Sequence, residues 1–244
     1  HRCERLSHTS AGEAAGTVIA TRTSVRHPDP RPRTPSPMPA PVAAEPPARE
    51  RALGALTGLA LGDALGMPTQ SMSPAQIRRC YGEITGLRDA VAEQPIAPSV
   101  PAGTVTDDTE QALILAGLLI DGGGRIDPHQ LADALLRWED DMRARGSLDL
   151  LGPSTKLALE RVRAGADPHC TGRQGTTNGA AMRVAPVGIA FSVSADGDAL
   201  ARAVQASCLV THDTRQGFEA AGLLAAAVSA AIDGVDAAGA LEAA

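Results

Sequence analysis

Residues 51–66 read RALGALTGLALGDALG, and the reading of this stretch decides the fold. Apolar residues lie all round a helical projection, and Gly54, Gly58, Gly62 and Gly66 recur at every fourth position. That spacing puts the glycines on one stripe, where another helix can approach closely. The run is too short, and too soon followed by Pro68, to cross a bilayer. It predicts a buried helix that carries a single acid, Asp63.

Working outward from it, helical signals follow one another. SPAQIRRCYG (73–82) comes first, then a loop of some twenty residues rich in Pro and Gly, then TDDTEQALILAGLLIDGGG (106–124). Asp127-Pro128 opens a further helix, the cap residue being followed by proline in the first turn. Leu131, Leu135, Trp138 and Met142 recur there at three- to four-residue spacing until Gly146. GPSTKLALERVRAG (152–165), TTNGAAMRVAPVGIAF (176–191), DGDALARAVQASCLVTH (196–212) and DTRQGFEAAGLLAAAVSAAIDG (213–234) complete the series. No alternating strand pattern of useful length appears, nor a repeat of 20–50 residues. The expected fold is all-α, a multi-helix globule over 51–244.

Composition agrees. Of 244 residues, 43% are hydrophobic and only 2% aromatic. Ala, Leu and Gly carry most of the apolar mass, which suits helices better than sheets. A formal net charge of −6 argues against nonspecific nucleic-acid binding, which needs a basic surface. Trp138, Tyr81, Phe191 and Phe218 are too scattered to stack bases. Lys156 is the single lysine, so there is no P-loop. Cys3, Cys80, Cys170 and Cys208 form no CxxC pair, which excludes a zinc framework or a disulfide scaffold of the usual spacing. With no apolar span and no signal-peptide pattern, a soluble cytoplasmic protein is expected.

Segment 27–47, HPDPRPRTPSPMPAPVAAEPP, has proline at nearly every other position and no periodicity. Residues 1–50 therefore read as an extended, disordered Pro-rich tether, with a PxxP ligand as the functional alternative. The chain opens on His1, and Met38 is the expected natural start.

Thr106-Asp107-Asp108-Thr109-Glu110 is the sharpest chemical feature, and two readings of it stand. Thr106 or Asp107 caps the helix while the acids favour the positive end of its dipole. Otherwise the adjacent carboxylates and flanking hydroxyls form an all-oxygen site for Mg²⁺ or Mn²⁺. Neighbouring side chains diverge by about 100° on a helix, so the pair can address two ions. Asp63 likewise reads either as a structural acid bonded to nearby backbone or as a site residue, because an acid in so apolar a helix is costly unless bonded. The small-residue loop Thr176-Thr177-Asn178-Gly179 offers N–H groups and an amide to an anion or hydroxyl. His212, in VTHDT, reads first as a structural hydrogen-bonder.

Together GLALGDALG (58–66), VTDDTEQALILA (105–116), GPSTKLAL (152–159), TTNGAAMRVAPVG (176–188) and VTHDT (210–214) resemble the ADP-ribosylglycohydrolase family, in the family's order. The resemblance covers essentially all of 51–244. It implies an all-α orthogonal bundle with a two-ion Mg or Mn centre, whose first half falls on Thr106, Asp107 and Asp108. Catalysis would rest on Asp107 and Asp108. Substrate contacts would fall on Asp63, Thr177, Asn178, Gly179 and His212. The implied reaction is hydrolysis of an N- or O-glycosidic bond to ribose in an ADP-ribosylated or related substrate, without sequence-specific nucleic-acid binding or membrane association.

Three departures qualify the transfer. The family's late D-x-D-T/S motif has no counterpart after Thr214; Asp233 and Asp236 lie in IDGVDAAG, which lacks the pattern. The bundle is therefore expected to be incomplete at its C-terminal end, the chain by itself inactive, and some apolar surface uncovered. A glutamate that many members carry seven residues after the Asp of GDALG is Gln70 here, and an aspartate three before the loop Asn is Gly175. The alternative function is thus a catalytically impaired ADP-ribose- or nucleotide-binding relative, or a structural one. Asp-rich isoprenoid chemistry is disfavoured, since it needs DDxxD and aromatics around a carbocation, and this chain has DDTEQ.

Overall fold

The computed structural model describes residues 47–146 and 151–242. The Pro-rich reading of 1–46 and the Met38 start lie outside them. The described residues contain ten α-helices and no strand, as the apolar spacing predicts. In chain order these are α1 (Ala48–Gly66), α2 (Pro74–Tyr81), α3 (Asp107–Asp121), α4 (Pro128–Ala144), α5 (Pro153–Arg163), α6 (Gly179–Met182), α7 (Ala185–Ala190), α8 (Gly197–Cys208), α9 (Arg215–Ile232) and α10 (Ala237–Glu242). A 3-10 turn, Met67–Thr69, follows α1 directly.

Local chemistry sets most boundaries. Ser73 and Gln76 form a reciprocal capping box at α2. Asp127 Oδ1 accepts the N–H groups of His129 (2.9 Å) and Gln130 (3.0 Å), and Pro128 fills the first turn of α4. Asp196 and Thr214 cap α8 and α9. Gly146 and Gly165 close the runs before them in the left-handed region, at φ +73° and +86°.

The main core gathers the inward faces of α3, α4, α5, α7, α8 and α9 around Leu115, Leu131, Leu135, Leu159, Val187 and Val204. All four periodic residues of α4, Leu131, Leu135, Trp138 and Met142, are buried as expected. Trp138 and Met142 belong to a second cluster with Ala97 and Leu151, roofed by the long loop before α3. Glu110 ties that cluster down: its carboxylate accepts from Trp138 Nε1 (2.6 Å) and from both Nη atoms of Arg145 (3.0 and 2.9 Å). Burial works against ionisation of Glu110, but these donors hold its pKa below the ordinary carboxylate value.

Helix α1 corrects the expectation of burial. Ala64 is its single buried residue, and Leu53 and Leu61 are exposed. A Cβ built on Gly54, Gly58, Gly62 or Gly66 would meet nothing within 4 Å, so among the described residues no helix lies against the glycine stripe. Close helix approach occurs instead between α7 and α9, where a Cβ on Gly188 would overlap the Ala225 carbonyl oxygen and press on Val228.

Candidate functional site

Asp63, in the last turn of α1, organises the start of α3. Its Oδ2 accepts the backbone N–H of Thr106 (2.8 Å) and of Thr109 (3.2 Å) and the Thr109 hydroxyl (2.6 Å). Its Oδ1 accepts the Thr106 hydroxyl at 2.7 Å. Thr106 occupies the N-cap position but makes no side-chain cap bond of its own. The capping acid therefore comes from another helix, 43 residues away in sequence. This frees Asp107 and Asp108 from capping duty.

The two acids stand on the wall of adjoining cavities. One, of ≈310 Å³, is lined by Gly62, Asp63, Gly66, Met67, Gln70, Thr106, Asp108 and Asn178. The other, of ≈160 Å³, is lined by Gln70, Asp107, Asp108, Thr177, Asn178 and Gly179, with Gly152, Pro153, Thr155 and Met182. Gln70, Asp108 and Asn178 border both. Burial, then the charges of Asp108 and Asp63, push Asp107 up to about 7. Asp108 is raised by burial and by Asp63, against the Thr106 hydroxyl at 3.4 Å. Carboxylates that raise one another in a half-buried pocket suit a cation, and the donors are all oxygen.

Gln70 reaches both cavities through a tight turn. Met72 N–H donates to Thr69 O at 3.0 Å, and Ser71 takes φ +61° at the position where glycine is usual. Buried Gln94 holds this turn from the long loop, its Nε2 donating to Met67 O (3.3 Å) and Gln70 O (3.1 Å). Tyr81 Oη donates to Pro68 O at 2.9 Å and accepts Val91 N–H at 3.0 Å. Sequence reading missed Gln94, a lone amide in a Pro- and Gly-rich loop. It also left Thr155 unassigned within GPSTKLAL.

Loop 171–179 packs on the segment before α9. A Cβ on Gly175 would overlap the Thr211 carbonyl oxygen, so an aspartate at this position has no room in this chain. Ser154 Oγ accepts from Thr176 and Thr177 N–H (3.3 and 3.4 Å). Gly179 fits between His212 and Thr155, where a Cβ would lie 2.5 Å from His212 Cε1.

His212, expected among the substrate contacts, is fully buried behind this loop and borders neither cavity. Its ring joins a chain of hydrogen bonds. Arg183 Nη2 donates to Thr211 Oγ1 (2.6 Å), which meets His212 Nδ1 (2.8 Å), and His212 Nε2 meets Thr177 Oγ1 (2.9 Å). Thr211 Oγ1 has a second lone pair and its own proton free for Nδ1, so donor and acceptor roles along the chain follow the ring's tautomer. Burial and the Arg183 charge bring His212 down to about 3, so the ring is neutral. Burial also lowers Arg183, to about 10, and Gln111 Oε1 accepts from its Nη1 at 2.8 Å.

The family model of the ADP-ribosylglycohydrolases matches residues 44–244. The uncharacterized protein YegU of Escherichia coli (strain K12) is 36% identical over 185 residues, covering 76% of this chain and 55% of that protein. The ADP-ribosylarginine hydrolase Tri1 of Pseudomonas putida (strain GB-1) is 33% identical over 198 residues, covering 78% of this chain and 48% of its own length. A solved structure titled ADP-ribosylglycohydrolase-related protein complex superposes with a TM-score of 0.59 at 33% identity, covering 78% of this chain and 58% of that one. The chain thus spans about half the length of the curated relatives it matches.

Proposed function

The chain belongs to the ADP-ribosylglycohydrolase family, and from that membership we propose that it carries the substrate pocket and first half of the metal centre of a divalent-metal-dependent hydrolase acting on ribosyl bonds. The substrate class is an ADP-ribosylated or related ribosyl compound, cut at an N- or O-glycosidic bond to ribose. The observation that carries the reading is the convergence of Asp107, Asp108, Thr177 and Asn178 on two adjoining cavities.

Thr106, Asp107 and Asp108 would hold Mg²⁺ or Mn²⁺, because the donors are hard oxygens and burial and mutual repulsion hold both acids above the ordinary carboxylate value, with the charge of Arg183 also reaching Asp107. Such an ion supplies Lewis-acid charge that orients ribose hydroxyls and activates water. Asn178, on the wall common to both cavities, offers its amide to ribose hydroxyls. Thr177 lines the smaller cavity, where its hydroxyl is held 2.9 Å from His212 Nε2 and offers its remaining capacity to a ligand oxygen. Gly179 lets the loop lie close to His212 and Thr155. His212 acts by holding Thr177.

Gln70 supports a second reading. It lines both cavities, yet an amide cannot take or give a proton at the scissile bond. That favours a relative that binds ADP-ribose without cleaving it.

One experiment serves both. The chain is given ADP-ribosylated arginine, the compound for which a relative at 33% identity is named, with and without Mg²⁺, and released ADP-ribose is measured beside calorimetric binding of ADP-ribose. Metal-dependent release that Asp107→Ala abolishes supports the hydrolase. Binding without release, with release gained by Gln70→Glu, supports the second reading. Binding that Mg²⁺ tightens and Asp107→Ala weakens, without release from either Gln70 or Glu at that position, supports the first half of a hydrolase centre. No binding, and no effect of Asn178→Ala, would refute both.

A further inference from the structure

Two Asp-Pro-His tripeptides stand in the sequence, at 127–129 and 167–169, and the fold brings them together. In each, the aspartate Oδ1 accepts the backbone N–H of its own histidine, at 2.9 and 3.0 Å. One turn opens α4; the other follows α5. The rings of His129 and His169 meet edge to face, with centroids 5.3 Å apart and planes at 63°. Asp167 Oδ1 lies 2.9 Å from His169 Nδ1. One ligand atom from each of His129, Asp167 and His169 falls within 4.8 Å of the others. Among the described residues this is the group of His, Cys, Asp or Glu side chains that reaches such proximity, and it lies outside both cavities of the candidate active site.

We propose that His129, Asp167 and His169 form a second metal site, for a divalent transition ion of the zinc class with one coordination position left open. Two imidazole nitrogens and a carboxylate are the donors such ions prefer, and a poor set for Mg²⁺. Bonds of about 2.0–2.1 Å place tetrahedral ligand atoms about 3.3 Å apart. All three side chains are exposed, so closing from 4.8 Å needs only small rotations. The same donors distinguish this site from the all-oxygen acids at 106–108. An ion here ties the first turn of α4 to the turn that leads into loop 171–179, which positions Thr177 and Asn178.

The test is a Zn²⁺ titration of the full chain, stripped with a chelator and held in excess Mg²⁺ to occupy the oxygen site, read by competition with a chromophoric chelator. One equivalent is expected to bind, and His129→Ala or His169→Ala is expected to weaken it at least about tenfold, the scale on which ligand shells act. Both substitutions are on the surface, and circular dichroism verifies that the helices are retained. The proposal is overturned if no equivalent binds in Mg²⁺, or if the equivalent survives in the double histidine variant.

Discussion

Helices α1 and α9 look alike as sequences and differ as parts of the molecule. Both are long, rich in Ala, Leu and Gly, and nearly free of charge in their central turns. Helix α9 buries Gly217, Ala221, Ala225, Ala226, Ser229 and Ala230, and packs against α6, α7 and α8. Helix α1 buries Ala64 alone and leaves its glycine stripe open. Small residues permit a close approach, but only a partner realises it. What fastens α1 to the site is polar: the bonds from Asp63 to the start of α3.

The sharpest way to break this contrast is Asp63→Ala. It strands two backbone donors and two hydroxyls at the start of α3, and we expect a loss of about 3 kcal/mol in urea unfolding, on the scale of bonds to a carboxylate. A loss under ~1 kcal/mol would mean that α1 is held by its apolar contacts. On the other side of the comparison, Gly188→Ala forces a methyl against the Ala225 carbonyl and Val228. Overpacking of this kind costs about 1–3 kcal/mol, and denaturant midpoints would register it.

His212 offers a third test, since it is the buried fastening at the entry to α9. Its folded pKa of about 3 lies below the ordinary 6.5, so between those values the unfolded chain binds the extra proton. Its contribution to stability is present above pH 6.5 and is lost as pH falls towards 3, by at most about 1.4 kcal/mol per pH unit. The His212→Gln variant is expected to lose stability less steeply with acid than the wild type over that window; parallel curves would show that the ring is not buried and neutral. The smallest effect is that of Gly58→Ala. Open space around the site and better helix propensity predict a gain of about 0.5–1 kcal/mol. A loss in this chain would reveal a partner against the stripe.

Much of the architecture was legible from spacing and punctuation. Leu131, Leu135, Trp138 and Met142 are a period-3.6 face and are buried together. Asp127 announces its helix, and the acidic pair at 107–108 stands out against the apolar run it precedes. Asp63 was legible only as an anomaly, an acid in an apolar helix, because its partners lie 43 and 46 residues away. Gln94 and Thr155 carried no signal, since an amide in a loop or a hydroxyl in a helix start is ordinary until its neighbours are known. The glycine stripe misled because periodicity states which face is narrow and says nothing of what faces it.

By itself, the sequence determined helices, their ends, an acidic pair at a helix start and a separate small-residue loop, because these depend on residues within one or two turns of each other. Tertiary structure alone decided which acid caps α3, which histidine is locked behind Thr177 and which pair of Asp-Pro-His turns meets. Those outcomes depend on contacts between side chains remote in the chain, whose desolvation and hydrogen bonding are set only when the helices pack.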